Sequence, residues 1–136
     1  SRGSLLDSTP ELVDRHMAID LKAPFFAMQA AVADMKARRA PGTIVNIGSN
    51  CARGGPPHLA PYSAAKAGVV GLTRSLAIEY APHGIRANCV CPGLVVTPLS
   101  YVDRPNFEAR MEEFTALYPL GRLGQPEDVA AAILAD

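Results

Sequence analysis

Residues 43–66 read TIVNIGSNCARGGPPHLAPYSAAK, and the fold follows from how this stretch divides. Thr43, Ile44, Val45, Asn46 and Ile47 make a short, nearly continuous apolar run after a Pro41-Gly42 break. That pattern predicts a parallel strand buried on both faces. Residues 50–60, rich in glycine and proline, read as a loop. A helix is expected from about 60 to 80, stopped by Pro82-His83-Gly84. Ile85-Arg86-Ala87-Asn88-Cys89-Val90 is a second apolar strand, closed by Pro92-Gly93.

Working outward, Thr9-Pro10-Glu11 is a helix start with proline in the first turn. Val13, Met17, Leu21, Phe25, Met28, Val32 and Met35 recur at steps of three or four, one buried face of a helix reaching about residue 38. Pro24 lies inside it. A proline has no N–H to give the carbonyl four residues back, so the Asp20 carbonyl loses its partner and a kink is expected. Downstream, 106 to about 117 reads as helical, and Pro126-Glu127-Asp128 opens a last helix. Helix, strand, helix, strand, helix is the α/β order.

The 136 residues carry 13 basic and 13 acidic side chains, and 49% are hydrophobic. That is one domain with enough apolar chain for a core. Zero net charge gives no electrostatic footprint for nucleic acid or an anionic membrane. No apolar run approaches the roughly 18 residues of a membrane span. Three cysteines argue against a disulfide framework, and Cys51, Cys89 and Cys91 lack zinc spacing, so no metal is expected. Cys51 has no adjacent base or cation to activate it, and Cys89 and Cys91 read as small apolar residues of a strand. His16, His58 and His83 share no ligand spacing; His58, in its loop, is a candidate for the mouth of a site, the plainer reading being a loop side chain. Asn46 and Asn88 read as structural groups satisfying backbone. The whole is expected to be cytoplasmic.

Tyr62 and Lys66 are four apart on a predicted helix and so share one face. Ser49 falls just past the carboxyl end of a strand, where open α/β sheets bind ligands. A phenol titrates near pH 10, and making it a base near neutrality takes about three units, or roughly 4 kcal/mol. An ammonium about 4 Å away contributes roughly that much at an effective dielectric of about 20. Lys66 is therefore suited to turning Tyr62 into a proton-transfer group. The plainer reading is a surface tyrosine and lysine that happen to fall four apart.

With these residues in view, the sequence resembles the short-chain dehydrogenase/reductase family, of the compact type. TIVNIGS resembles the strand leading to its catalytic serine, and YSAAK its catalytic tyrosine and lysine. NCVCPGLVVTP resembles the segment beside the nicotinamide, and PLGRLGQPEDVAAAILAD a late helix. The resemblance covers nearly the whole chain. It implies hydride transfer between NAD or NADP and a ketone or secondary alcohol. Tyr62 would exchange a proton with the substrate oxygen, which Ser49 would also hydrogen-bond. Lys66 would lower the Tyr62 pKa and hold the nicotinamide ribose. Pro92 and Gly93 would turn the chain under the nicotinamide, with Val95 backbone and the Thr97 side chain holding its carboxamide and phosphate side. The family's fourth catalytic residue is usually an asparagine, and MAIDLKAPFF puts Asp20 there. A carboxylate would raise the Lys66 pKa or compete for the ammonium, yet the carbonyl freed by Pro24 would still order a relay water.

The resemblance also implies a partial Rossmann-like, doubly wound parallel sheet over residues 1–136, with N-terminal strands and the last strand missing. No G-x-x-x-G-x-G turn for pyrophosphate occurs. The expectation is a catalytic half whose 136 residues alone are inactive and bind NAD(P) weakly. The alternative is a non-catalytic fragment or paralogue acting through its helical interface. Gly68 and Gly71, with neighbouring alanines, suggest a close-packing face, and the family pairs its two long helices in a homodimer or homotetramer. Residues 98–120, including Tyr101, Phe107, Met111, Phe114 and Tyr118, read as a substrate lid with an amphipathic helix.

Overall fold

Two strands, β1 (Gly42–Ile47) and β2 (Ile85–Val90), pair in parallel in a register running from Gly42 opposite Ile85 to Ile47 opposite Val90. They are the sheet strands of a computed structural model that describes residues 4–104 and 106–135. The chain divides into two compact units, residues 4–91 and Pro92–Ala135.

The first unit opens with α1 (Pro10–His16), where the Thr9 side chain accepts from the Leu12 N–H at 3.3 Å. The helical run then widens into a π segment (Met17–Lys22) before α2 (Ala23–Ala37). The Ala23 N–H bonds the Ala18 carbonyl, five residues back. The irregularity expected at Pro24 therefore falls in the turn ahead of it, and Pro24 itself sits in the first turn of α2. A single wide turn absorbs a helix defect without ending the helix.

A one-turn helix, α3 (Cys51–Gly54), occupies part of the expected loop, and α4 (Ala60–Tyr80) crosses from β1 to β2. It ends in a 3-10 turn (Ala81–His83) and Gly84 at φ 70°. Side chains of a strand alternate between faces. On one face Ile44, Asn46, Ile85 and Ala87 meet Met28 and Val32 of α2 and Leu72, Thr73 and Leu76 of α4. The other face departs from the expected burial: Val45 and Val90 are half-buried and Ile47 is 42% exposed. The apolar run fits a doubly covered strand, but α2 and α4 pack on the Ile44 face.

In the second unit Val95 bridges Gly124 in parallel. α5 (Pro98–Asp103) begins at Thr97, and α7 (Pro126–Leu134) opens on the expected proline. The helix expected over 106–117 is broken. Asn106 adopts φ 60°, a 3-10 turn covers Glu108–Arg110, and α6 spans only Met111–Thr115. Phe107 is almost fully buried, edge-on to Tyr101 and stacked on Phe114, so it is core of this unit rather than lid surface. Among the described residues no helix is long and apolar enough to cross a membrane.

Candidate active site

The carboxyl end of β1 sets the first group. Gly48 follows the strand and donates its N–H to the Val90 carbonyl at 2.8 Å. A Cβ there would fall 2.7 Å from Cys91 Sγ and 2.9 Å from Cys89 Sγ, so only glycine fits against the two thiols. Those thiols stand 3.9 Å apart; burial, with Cys91 beside it, pushes Cys89 up and keeps it neutral. The next residue, Ser49, is buried, and the Cys51 N–H donates to its Oγ at 3.2 Å, which orients the hydroxyl.

The first turns of α4 supply the second and third groups. Tyr62 and Lys66 lie on one face, with Lys66 Nζ 5.8 Å from the phenol ring centroid. That ammonium donates to the Ile47 carbonyl at 3.0 Å and stands 3.8 Å from Asp20 Oδ1. Asp20 comes from the π segment. The approach of that segment to α4 depends on Gly68, whose Cβ would sit 3.0 Å from the methyls of Leu21. Gly71, read with it as a packing residue, faces open space.

Burial holds the Tyr62 phenol above its ordinary value; the Ser49 hydroxyl pulls it down, and the neighbouring Cys51 and Asp20 push it up. The net direction is upward, against the lowering expected from Lys66, whose charge is shared with Asp20 and the Ile47 carbonyl. A neutral phenol with a serine hydroxyl nearby has the chemistry to donate a proton.

His16 also belongs to this cluster. Its Nδ1 lies 2.8 Å from Asp20 Oδ2, and its ring meets Tyr62 edge-on at 5.8 Å. Sequence reasoning weighed His16 only as a metal ligand, although its spacing of four from Asp20 was a signal of the same kind as Tyr62 and Lys66. His58, at φ 64°, lines an open groove with Ser4, Gly55, Pro57 and Ser63.

Pro92, Gly93, Val95 and Thr97 belong to the second unit. The Leu94 N–H donates to Tyr118 Oη at 2.6 Å, which fixes the turn after Gly93. The Leu94 carbonyl and the Val96 N–H serve the bridge to Gly124, at 3.1 and 2.9 Å. That pairing turns the Val95 N–H to the opposite side. Ser100 Oγ donates to the Val95 carbonyl at 2.7 Å and accepts the Thr97 N–H at 3.2 Å, holding Thr97 at the head of α5.

Comparison with known proteins agrees with this arrangement of elements. A family model described as Enoyl-(Acyl carrier protein) reductase matches residues 1–135. The 2-(S)-hydroxypropyl-CoM dehydrogenase 3 of Xanthobacter autotrophicus is 41% identical over 97% of this chain and 52% of its own length. Among solved structures, an oxidoreductase of the short chain dehydrogenase/reductase family from Burkholderia thailandensis superposes with a TM-score of 0.90 at 36% identity, covering 98% of this chain and 52% of that one. ElxO with NADP bound gives 0.88 at 29% identity over 98% of this chain and 53% of its own. The chain thus spans about half the length of the relatives it matches.

Proposed function

This chain belongs to the short-chain dehydrogenase/reductase family, and from that premise we propose that it carries the proton-transfer half of an NAD- or NADP-dependent oxidoreductase acting on a ketone or secondary alcohol. The observation that carries the reading is the meeting of Ser49, Tyr62 and Lys66 at the carboxyl end of β1.

The donors present suit a nicotinamide dinucleotide. An ammonium has three donors; Lys66 gives one to the Ile47 carbonyl, so donor capacity remains for a ribose diol. In the second unit the Val95 N–H, turned away from Gly124, and the Thr97 hydroxyl would hold the carboxamide and phosphate side, with Pro92 and Gly93 shaping the turn. ElxO, of similar fold, holds NADP. When bound, such a cofactor supplies or takes the hydride at the substrate carbon.

The chain's own residues handle the proton. In reduction, Tyr62 Oη gives its proton to the carbonyl oxygen as that oxygen gains charge, and the C=O becomes CH–OH. Ser49 Oγ donates to the same oxygen and steadies it. The resulting phenolate is stabilised by the Lys66 ammonium until a proton returns from solvent. In oxidation the same path runs backward and needs the phenolate first.

The test is Tyr62→Phe in the full-length protein, assayed by nicotinamide absorbance on a panel of ketones and secondary alcohols. The variant should lose about 10²–10⁴-fold in turnover, the usual worth of a positioned acid–base group. Cofactor affinity, measured by fluorescence, should stay within a few-fold. Equal turnover in parent and variant would refute the assignment and leave the non-catalytic reading.

A further inference from the structure

Beside the proton donor and Lys66 stand two groups, His16 and Asp20, that the reaction just described does not use. Asp20 lies between His16 and the Lys66 ammonium: Oδ2 is 2.8 Å from His16 Nδ1 and Oδ1 3.8 Å from Lys66 Nζ. The three side chains are 17, 20 and 14% exposed in the order His16, Asp20, Lys66, so solvent screens them little. His16 closes the cluster by setting its ring against the edge of Tyr62. The groups facing Tyr62 are His16 and Asp20 from the first helical run, Lys66 from its own helix, Ser49 beyond β1 and Cys51 of α3.

We propose that Asp20, held in place by His16, is a charge-setting positioning residue whose carboxylate balances the Lys66 ammonium and so favours the neutral, proton-donating phenol of Tyr62 over its phenolate. This rests on Tyr62 being the proton-transfer group. An ammonium alone would stabilise the phenolate; a carboxylate on the same ammonium cancels part of that effect. His16 contributes by fixing which way the carboxylate points. The consequence is a site suited to giving a proton to a ketone near neutral pH, with alcohol oxidation displaced toward alkaline pH.

The test follows Tyr62 itself. Phenolate absorbance of the full-length protein is titrated without added cofactor, as the difference between parent and Tyr62→Phe. Asp20→Asn should lower the Tyr62 midpoint by about one pH unit, the low end for a neighbouring charge. Asp20→Ser, which also removes the charge, is read in the same way should the first variant fail to fold. His16→Ala should lower the midpoint in the same direction, and His16→Gln, which can still donate to the carboxylate, should restore it. In an Asp20→Asn background His16→Ala should add nothing, the mark of one residue acting through another. An unchanged midpoint in Asp20→Asn, or a His16→Ala shift that persists in that background, would overturn the proposal. Because the readout needs no substrate, it decides this inference even where turnover assays defeat the oxidoreductase reading.

Discussion

Asn46 ties the strand that leads to Ser49 to the helix that carries Tyr62. Its Nδ2 donates to Thr73 Oγ1 at 2.8 Å, and that hydroxyl donates to the Val69 carbonyl at 2.7 Å, all buried. A buried amide without an acceptor costs about 1–3 kcal/mol. Thr73→Val keeps the shape and removes the acceptor, so it should lower stability by about that amount, seen as a lower urea midpoint with unchanged slope. Thr73→Ser should stay near the parent; a Thr73→Val midpoint equal to the parent's would show that Met28 Sδ, 3.0 Å from Nδ2, suffices. Asn46 was legible as a structural group, but its partner was not. Thr73 lies 27 residues on, and nothing local marks the pairing. Tyr62 and Lys66 were legible because spacing of four is a property of the helix itself. His16 and Asp20 have that spacing too, yet their meaning depends on α4 lying beside them, which Gly68 permits only in three dimensions.

At the scale of elements, helix starts are legible because proline and an oxygen-bearing cap are local signals: Thr9-Pro10 and Pro126 open the expected helices, and Thr97-Pro98 opens α5, which the sequence pattern was not read to contain. Interiors were read less well. The pattern over 106–117 has helical period, but Asn106 at φ 60° and the burial of Phe107 break it into a 3-10 turn and a short α6. Tertiary packing overrode a weak local preference. The start of α7 gives a pH prediction. Asp128 Oδ2 accepts the Gln125 N–H at 2.8 Å, and both Asp128 oxygens take Arg122 Nη groups at 2.6 and 2.8 Å. The Arg122 bonds first, then that backbone N–H, lower its carboxyl from 3.8 to about 2. A carboxyl more acidic folded than unfolded stabilises above its unfolded value and stops doing so as pH falls through the folded one. The α7 start should therefore be intact above about pH 5 and loosen between about pH 4 and 2. The Gln125 amide and Arg122 side-chain resonances would report it, and Asp128→Asn should remove the change over that interval.

For the whole molecule, the α/β class and the parallel pair were legible because apolar strands joined through a helix admit few other arrangements. Which sheet face is covered was not legible, since Ile44 and Ile47 look alike in sequence. Only the packing of α2 and α4 separates half-buried Ile44, set against the core, from exposed Ile47. The outer surfaces of those two helices carry a further consequence. Phe25 and Phe26 of α2 lie edge to face at 5.4 Å with both rings substantially exposed, and Ile78 of α4 is 79% exposed. Large apolar side chains left in water on two helices of one unit favour burial against another surface. The two-helix pairing expected of the family supplies one, a second copy of the chain. In sedimentation at micromolar concentration the full-length protein should run as a dimer or tetramer. Phe26→Glu and Ile78→Glu, placing charge in the contact without touching Ser49, Tyr62 or Lys66, should each shift it toward the monomer. A desolvated, unpaired carboxylate opposes association by several kcal/mol, so the shift should be large. A parent that sediments as a monomer, or variants that stay assembled, would move the interface off these helices and assign the exposed rings another role.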